Sequence, residues 1–73
     1  MTTQIQDETA QIAAQQQAAD RAGVQYGSAM HIAELLVGIS GKVYEENLHT
    51  LAAAYGTDYK SIKHIDEVFN RKL

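Results

Sequence analysis

The sequence predicts an all-α fold with a small three-helix core and a Gln/Ala-rich N-terminal arm. Apolar residues recur at helical spacing in three successive segments, and no useful length alternates with the period of two that marks a half-buried strand. The chain has no Pro, and its five Gly residues fall where the helical patterns begin or break. We therefore expect two parts, a flexible arm over residues 1–22 and a helical domain over residues 23–73.

The size and composition of the chain limit what it can be. A chain of 73 residues forms one domain at most, with a small core. It has no Cys, so no disulfide or thiolate metal site adds stability, which fits a reducing compartment. No segment has the roughly 20 apolar residues of a membrane span, and the start MTTQIQDETA is too polar and acidic for a signal peptide. We therefore expect a cytoplasmic protein without a membrane segment.

The arm is poor in apolar side chains. Residues 1–22 contain six Gln and six Ala, and Ile5 and Ile12 are their only branched aliphatic residues. Ala and Gln favour helix, but a helix of this length is marginal in water without a packed face. We expect an arm that is disordered or a fraying helix in the free protein. A packed first helix is one alternative, and a coiled coil along the seam of Ile5, Ile12 and Ala19 is another.

The first core helix is predicted to begin at the N-cap residue Ser28. Four aliphatic residues then follow at i, i+3, i+4 and i+7, the pattern of an amphipathic helix. Additional apolar residues extend over most of the circumference, so we expect this helix to be the central, most buried one. The aliphatic stripe is Ile32, Leu35, Leu36 and Ile39, and the additional residues are Ala29, Met30, Ala33 and Val37.

Two further helices are predicted after a break in the segment GISG, residues 38–41. If the first core helix continued through this segment, its apolar face would include Glu46. The apolar residues that follow the segment instead lie in a shifted helical register, which indicates a new helix. Gly56 suits a left-handed C-cap, and Thr57 or Asp58 can cap the last helix. The new apolar stripes are Leu48, Leu51, Ala52 and Tyr55 in the second helix, and Ile62, Ile65, Phe69 and the adjacent Val68 in the third.

The segment LAAAYGTDYKSIKHI, residues 51–65, resembles a helix-turn-helix. Ala52 stands where the two helices would cross, Gly56 in the turn and Ile62 inside the second helix. The resemblance implies that the second helix enters the major groove of DNA. A plain helical hairpin has the same spacing, and Thr57 replaces the aliphatic residue usual after the turn glycine. The implied DNA contacts are Tyr59, Lys60, Lys63 and His64, with Asp58 also facing outward.

No arrangement of residues indicates catalysis. Glu45 and His49 lie one helical turn apart, but two ligands do not make a zinc site. Glu45 and Glu46 point about 100° apart on a helix and cannot share a proton. We therefore expect no enzymatic activity, no cofactor, no metal site and no small-molecule ligand.

The leader MTTQIQDETAQIAAQQQ and the helix-turn-helix-like segment resemble, together, the small acidic helical proteins with which bacteriophages regulate or inhibit host RNA polymerase. The resemblance implies a non-enzymatic transcription regulator that binds and inhibits bacterial RNA polymerase by protein–protein contact in the host cytoplasm. A sequence-specific DNA-binding repressor is the alternative. Inhibition of another bacterial protein complex is a third possibility, because it also needs only a surface complementary to the partner. Either a monomer or a homodimer is compatible with these functions.

Four residues are the candidate protein contacts. Ile5 and Ile12 would anchor the arm on a partner. Tyr is enriched at interface hot spots, and of the four Tyr residues, some of which would cover the small core, the candidates are Tyr26 and Tyr59. Because Tyr59 lies off the stripe of the last helix, we expect its ring to be free of core packing.

Overall fold

The structure is a computed structural model that describes residues 2–71, with side chains described for residues 8–70. Within residues 2–71 the chain forms four α-helices and a final π-helical segment, without any strand. The predicted all-α fold class is confirmed. The elements are α1 (Thr2–Ala22), α2 (Tyr26–Leu36), α3 (Gly41–Tyr55), α4 (Tyr59–Asp66) and the π segment (Glu67–Arg71).

The core is built around α4, the shortest of the four helices. Ile62 and Ile65 of α4 are completely buried, and α4 packs against α1, α2 and α3. Ile32 of α2 and Leu48 of α3 are the other large apolar side chains with no exposed surface. The three predicted core helices are therefore present, but α4 takes the central place that we expected for α2.

One side of α2 faces solvent, contrary to the prediction that this helix is buried nearly all round. Ile32 and Leu36 are buried as predicted, whereas Leu35 is 49% exposed although it lies in the predicted aliphatic stripe. Met30 and Val37 are also exposed. The physical reason is that α2 packs chiefly against α1 and α4, so no helix covers its far side.

The predicted N-cap of α2 is wrong by one helical turn. The helix begins at Tyr26, and Gln25 holds the extended backbone of the N-cap position. The backbone N–H of Ala29 donates to the carbonyl oxygen of Gln25 at 2.9 Å, so Ser28 already lies inside the first turn. The tight end of α1 explains the early start. The N–H of Gly23, with φ +75°, donates to Asp20, and the N–H of the next residue donates to Ala19.

The last turns of α1 belong to the core. Ala18, Ala19 and Ala22 are buried, and α1 packs against α2, α4 and the π segment. The absence of longer side chains at these positions lets α1 approach its neighbours closely. Residues 8–13, in contrast, are all exposed. The alternative of a packed first helix therefore holds for the last turns of the predicted arm. Flexibility of the first residues of the arm in the free protein stays a prediction.

Candidate functional site

The α3–α4 hairpin has the turn that the sequence predicts. Gly56 has φ +69° and ψ +35°, and its N–H donates to the carbonyl oxygen of Ala53. The N–H of Thr57 donates to Ala52 at 2.9 Å, which completes a Schellman C-cap. Of the two predicted caps for α4, Asp58 is the one used, because its Oδ1 accepts from the N–H of Ser61 at 3.1 Å. A helix-turn-helix and a plain helical hairpin share this turn.

The cap also sets the charge at the start of α4. Hydrogen bonds from Ser61, first from its side chain and then from its backbone N–H, hold the pKa of the Asp58 carboxyl below its usual value. Asp58 is therefore ionised at neutral pH, where its charge favours the positive end of the helix dipole. The same charge lies two residues from Lys60 and would repel a DNA phosphate there.

The candidate DNA contacts do not form a uniform outer face. Lys60 and Lys63 are exposed, whereas His64 and Tyr59 are half-buried. The expectation that Tyr59 is free of packing is wrong, because its ring stacks on His49 with the centroids 4.9 Å apart and packs against the core. The reason is that α3 lies beside the start of α4 and brings His49 over the ring. A role of these four residues in DNA binding stays a prediction.

The arm presents one described candidate contact. Ile12 is 57% exposed on α1. Ile5 lies outside the described side chains, so its contribution also stays a prediction. Since the core begins at Ala18 of this helix, Ile12 lies on the part of α1 that precedes the packed turns.

Tyr26 has a structural part in the fold. It is half-buried, its hydroxyl donates to Oε1 of Gln15 at 2.5 Å, and its ring lies 5.7 Å from that of Phe69. These contacts connect α2 with α1 and with the π segment. Part of the Tyr26 ring is therefore buried within the molecule and closed to a partner. Its predicted role in partner binding stays a prediction.

Sequence reasoning missed a group of exposed apolar residues around the α2–α3 connection. We define Leu35, Val37 and Val43 as the connection surface. Their side chains are 49%, 62% and 53% exposed, respectively. Leu35 ends the exposed side of α2, Val37 follows the helix, and Val43 lies in the first turn of α3. Exposed aliphatic residues are candidates for contact with a partner where they form a continuous patch.

Sequence reasoning also missed a polar cluster in which the buried Tyr44 and Asp66 meet the exposed Asn70. The hydroxyl of Tyr44 donates to Oδ2 of Asp66 at 2.6 Å, and Nδ2 of Asn70 donates to Oδ1 of Asp66 at 2.7 Å and to the carbonyl oxygen of Ala33 at 2.9 Å. Asp66 is 1% exposed. One signal was available in the sequence: Asp66 follows Ile62 by four residues and therefore shares its buried face.

A shallow cleft opens beside this cluster. It lies between the end of α2 and the π segment and has a volume of about 400 Å³. Its lining combines apolar side chains with Asp66 and Asn70 of the polar cluster, and more of its surface is polar than apolar. The lining residues include Leu36, Val37, Ile39, Asp66, Phe69 and Asn70.

The described residues contain no assembled metal centre or membrane helix. Across these side chains, no three His, Asp or Glu residues lie close enough together to hold a metal ion. No helix within residues 2–71 combines the length and hydrophobicity needed to cross a bilayer.

Comparison of the chain with protein-family models, with curated proteins and with solved structures gives no match. The fold therefore defines the class of the molecule, a small all-α protein.

Proposed function

We propose that the protein is a non-enzymatic transcription regulator that binds and inhibits bacterial RNA polymerase by protein–protein contact in the cytoplasm. The observation that carries the protein-contact part is the exposure of large apolar side chains among residues 8–70, namely Ile12 on α1, Met30 on α2 and the connection surface. Apolar surface that a small core does not use gains most from burial against another protein.

The choice of RNA polymerase rests on the resemblance of the leader and the hairpin to small phage regulators. Electrostatics supports a basic partner surface, since residues 1–57 carry six acidic and two basic side chains. Opposite charge would steer the encounter and raise the association rate more than the final affinity.

The use of the polar residues supports a role without chemistry. Asp66, the most buried carboxylate among residues 8–70, is held by Tyr44 and Asn70. His49 stacks on Tyr59. General acid–base catalysis needs a titratable group that reaches the substrate, and the buried Asp66 instead stabilises the contact between the helices.

Binding of purified bacterial RNA polymerase tests the proposal directly. We expect a complex with the core or holoenzyme by size-exclusion chromatography in the absence of nucleic acid, and reduced promoter-dependent transcription. Ile12→Asp should weaken the complex, whereas Gln11→Asp, which adds the same charge at the preceding exposed position, should not. Absence of a complex with either form of the polymerase would refute the assignment of this partner.

A DNA-binding repressor is the second candidate, favoured by the exposure of Lys60 and Lys63 on α4. Selection from a random duplex library would test it. If the protein reads DNA, a consensus emerges, the double substitution Lys60→Ala and Lys63→Ala abolishes binding, and affinity falls steeply with salt. If Lys60 and Lys63 instead contact an acidic partner protein, the same substitutions weaken that protein complex, and no duplex is retained from the library.

A further inference from the structure

Within the described side chains, one whole side of α2 is left uncovered by the other helices. The spacing of three and four residues between its exposed positions places them on a single side of the helix. Two of them are large and apolar, Met30 at 43% and Leu35 at 49% exposure. We define this side as the α2 outer face, formed by Gly27, Met30, His31, Glu34 and Leu35.

The segment that carries this face has very little charge. Between Arg21 and Lys42, Glu34 is the only formally charged side chain, and eight of the nine Asp and Glu residues lie outside the segment. Two copies of an acidic protein repel each other where their carboxylates meet. On the α2 outer face, apolar surface can be buried against a second copy without bringing such groups together.

The two polar groups of the face have unused bonding capacity. Neither the His31 imidazole nor the Glu34 carboxylate has a hydrogen bond or ion pair among residues 8–70. An imidazole N–H donates in both protonation states of histidine, and a carboxylate accepts. Each group therefore complements the other, and both point away from the core on the same exposed side.

The order of the residues on this face is its own complement under a two-fold axis. If two α2 helices pack antiparallel with the axis level with the Ile32–Ala33 bond, His31 of each copy lies level with Glu34 of the other. A parallel pair would instead bring each group against its own kind. Gly27 favours a close approach of the helices, because a Cβ at this position would have nothing within 4 Å. Charge therefore selects the antiparallel arrangement.

We propose that the protein forms a homodimer through the α2 outer face, with two symmetric hydrogen bonds between His31 of one copy and Glu34 of the other. Met30 and Leu35 flank these bonds on either side and lose exposed surface in the dimer. One helix face is smaller than the roughly 800 Å² per partner of a standard interface, so we expect a dissociation constant between about 10 μM and 1 mM. The inference goes beyond the proposed function, since it needs neither polymerase nor DNA.

Sedimentation equilibrium of the full chain tests the dimer, over concentrations from about 10 μM to about 2 mM in the presence of EDTA. We expect the average mass to rise toward that of a dimer. In the ¹⁵N-labelled protein, the amides of residues 26–38 should shift with concentration. A monomer over the whole range would overturn the proposal, and so would shifts confined to α1 or to α3.

An exchange of the two polar residues tests the pairing itself. His31→Glu places two carboxylates opposite each other and should raise the dissociation constant at least about tenfold. The double substitution His31→Glu with Glu34→His keeps the composition and net charge of the parent and restores the complementary pairs. It should return the dissociation constant to within about threefold of the parent value. A double variant as weak as His31→Glu alone would contradict the proposed register.

Thr50→Glu is the matched control for charge. Thr50 is exposed on α3, so this change adds the same negative charge away from the α2 outer face. It should change the dissociation constant less than about twofold. Equal weakening by Thr50→Glu and His31→Glu would indicate a general repulsion between copies and contradict the assignment. Circular dichroism and thermal melting check that each variant retains the fold, as expected at exposed positions.

Zinc addition separates direct pairing from a metal bridge. His and Glu side chains are also zinc ligands, and the two-fold axis would bring four of them together, two from each copy. Dimerisation in EDTA, unchanged by added ZnCl₂, supports the direct hydrogen bonds between His31 and Glu34. Dimerisation that appears only with ZnCl₂ would overturn them and assign the face to a metal-bridged dimer.

Discussion

The longest and the shortest helix of this protein are stabilised in opposite ways. The 21-residue α1 has three buried residues among its described side chains, all near its end, whereas four of the eight residues of α4 are buried. α4 begins with a side-chain cap and lies in the centre of the molecule, and α1 has a run of exposed residues before its packed turns. Length alone therefore says little about how strongly a helix is tied to the core, because packed apolar surface supplies most helix stability in proteins.

Truncation of one isoleucine in each helix gives the largest expected contrast. Ile65→Ala in α4 should lower the free energy of unfolding by about 2–5 kcal/mol, because it leaves a cavity at a fully buried site. Ile12→Ala in α1 should change it by less than about 0.5 kcal/mol. Urea unfolding followed by circular dichroism measures both. Similar losses from the two changes would contradict the difference in burial.

Enlargement of alanine in the two parts of α1 should have the next largest effect. Ala19→Leu forces extra volume into the contact with the core and should cost about 1–3 kcal/mol. Ala13→Leu, on the exposed part of the same helix, should be nearly neutral. Thermal melting of both variants checks this pair. An unchanged midpoint for Ala19→Leu would mean that the end of α1 is not held against the core in solution.

Removal of one hydroxyl tests the link between α1 and α2. Tyr26→Phe deletes the hydrogen bond to Gln15 and should destabilise the protein by about 1 kcal/mol. Tyr55→Phe is the matched control, because Tyr55 is also half-buried and its hydroxyl has no partner among the described residues. In guanidinium unfolding, Tyr26→Phe should have a lower midpoint than Tyr55→Phe. Equal midpoints would mean that this hydrogen bond does not stabilise the packing of α1 on α2.

Acidification should weaken the Asp58 cap of α4, and this is the smallest of the expected effects. The folded-state pKa of Asp58 lies below its ordinary value of 3.8, so its contribution to stability is present above that pH and is lost as the pH falls through the folded-state pKa. The stability difference between the parent and Asp58→Asn should therefore shrink below about pH 4. Unfolding curves between neutral pH and about pH 3 give this difference. A difference that stays constant over this range would contradict a charged cap.

The hairpin could be predicted from sequence because its signals are local. Gly56 ends α3 and Asp58 caps α4 through contacts within a few residues. The burial of Ile62 and Ile65 follows from their spacing on one helical face. Neither feature depends on how distant elements are arranged.

The candidate sites were less accessible to sequence reasoning. Leu35 belongs to the same stripe as Leu36, and only the placement of α1 and α4 leaves the first exposed and the second buried. Asn70 bridges α2 and α4, a contact over 37 residues to Ala33 that no local pattern indicates. The stacking of Tyr59 on His49 likewise needs the position of α3.

By itself, the sequence determined the helical class, the break between α2 and α3, and the capped turn at Gly56, because helix periodicity and capping act between residues close along the chain. The tertiary structure decided which face of each helix is covered, how far α1 enters the core, and where Asp66 and Asn70 meet the end of α2. Burial is a property of neighbouring helices rather than of one segment, and the surfaces offered to a partner are those that the neighbouring helices leave uncovered.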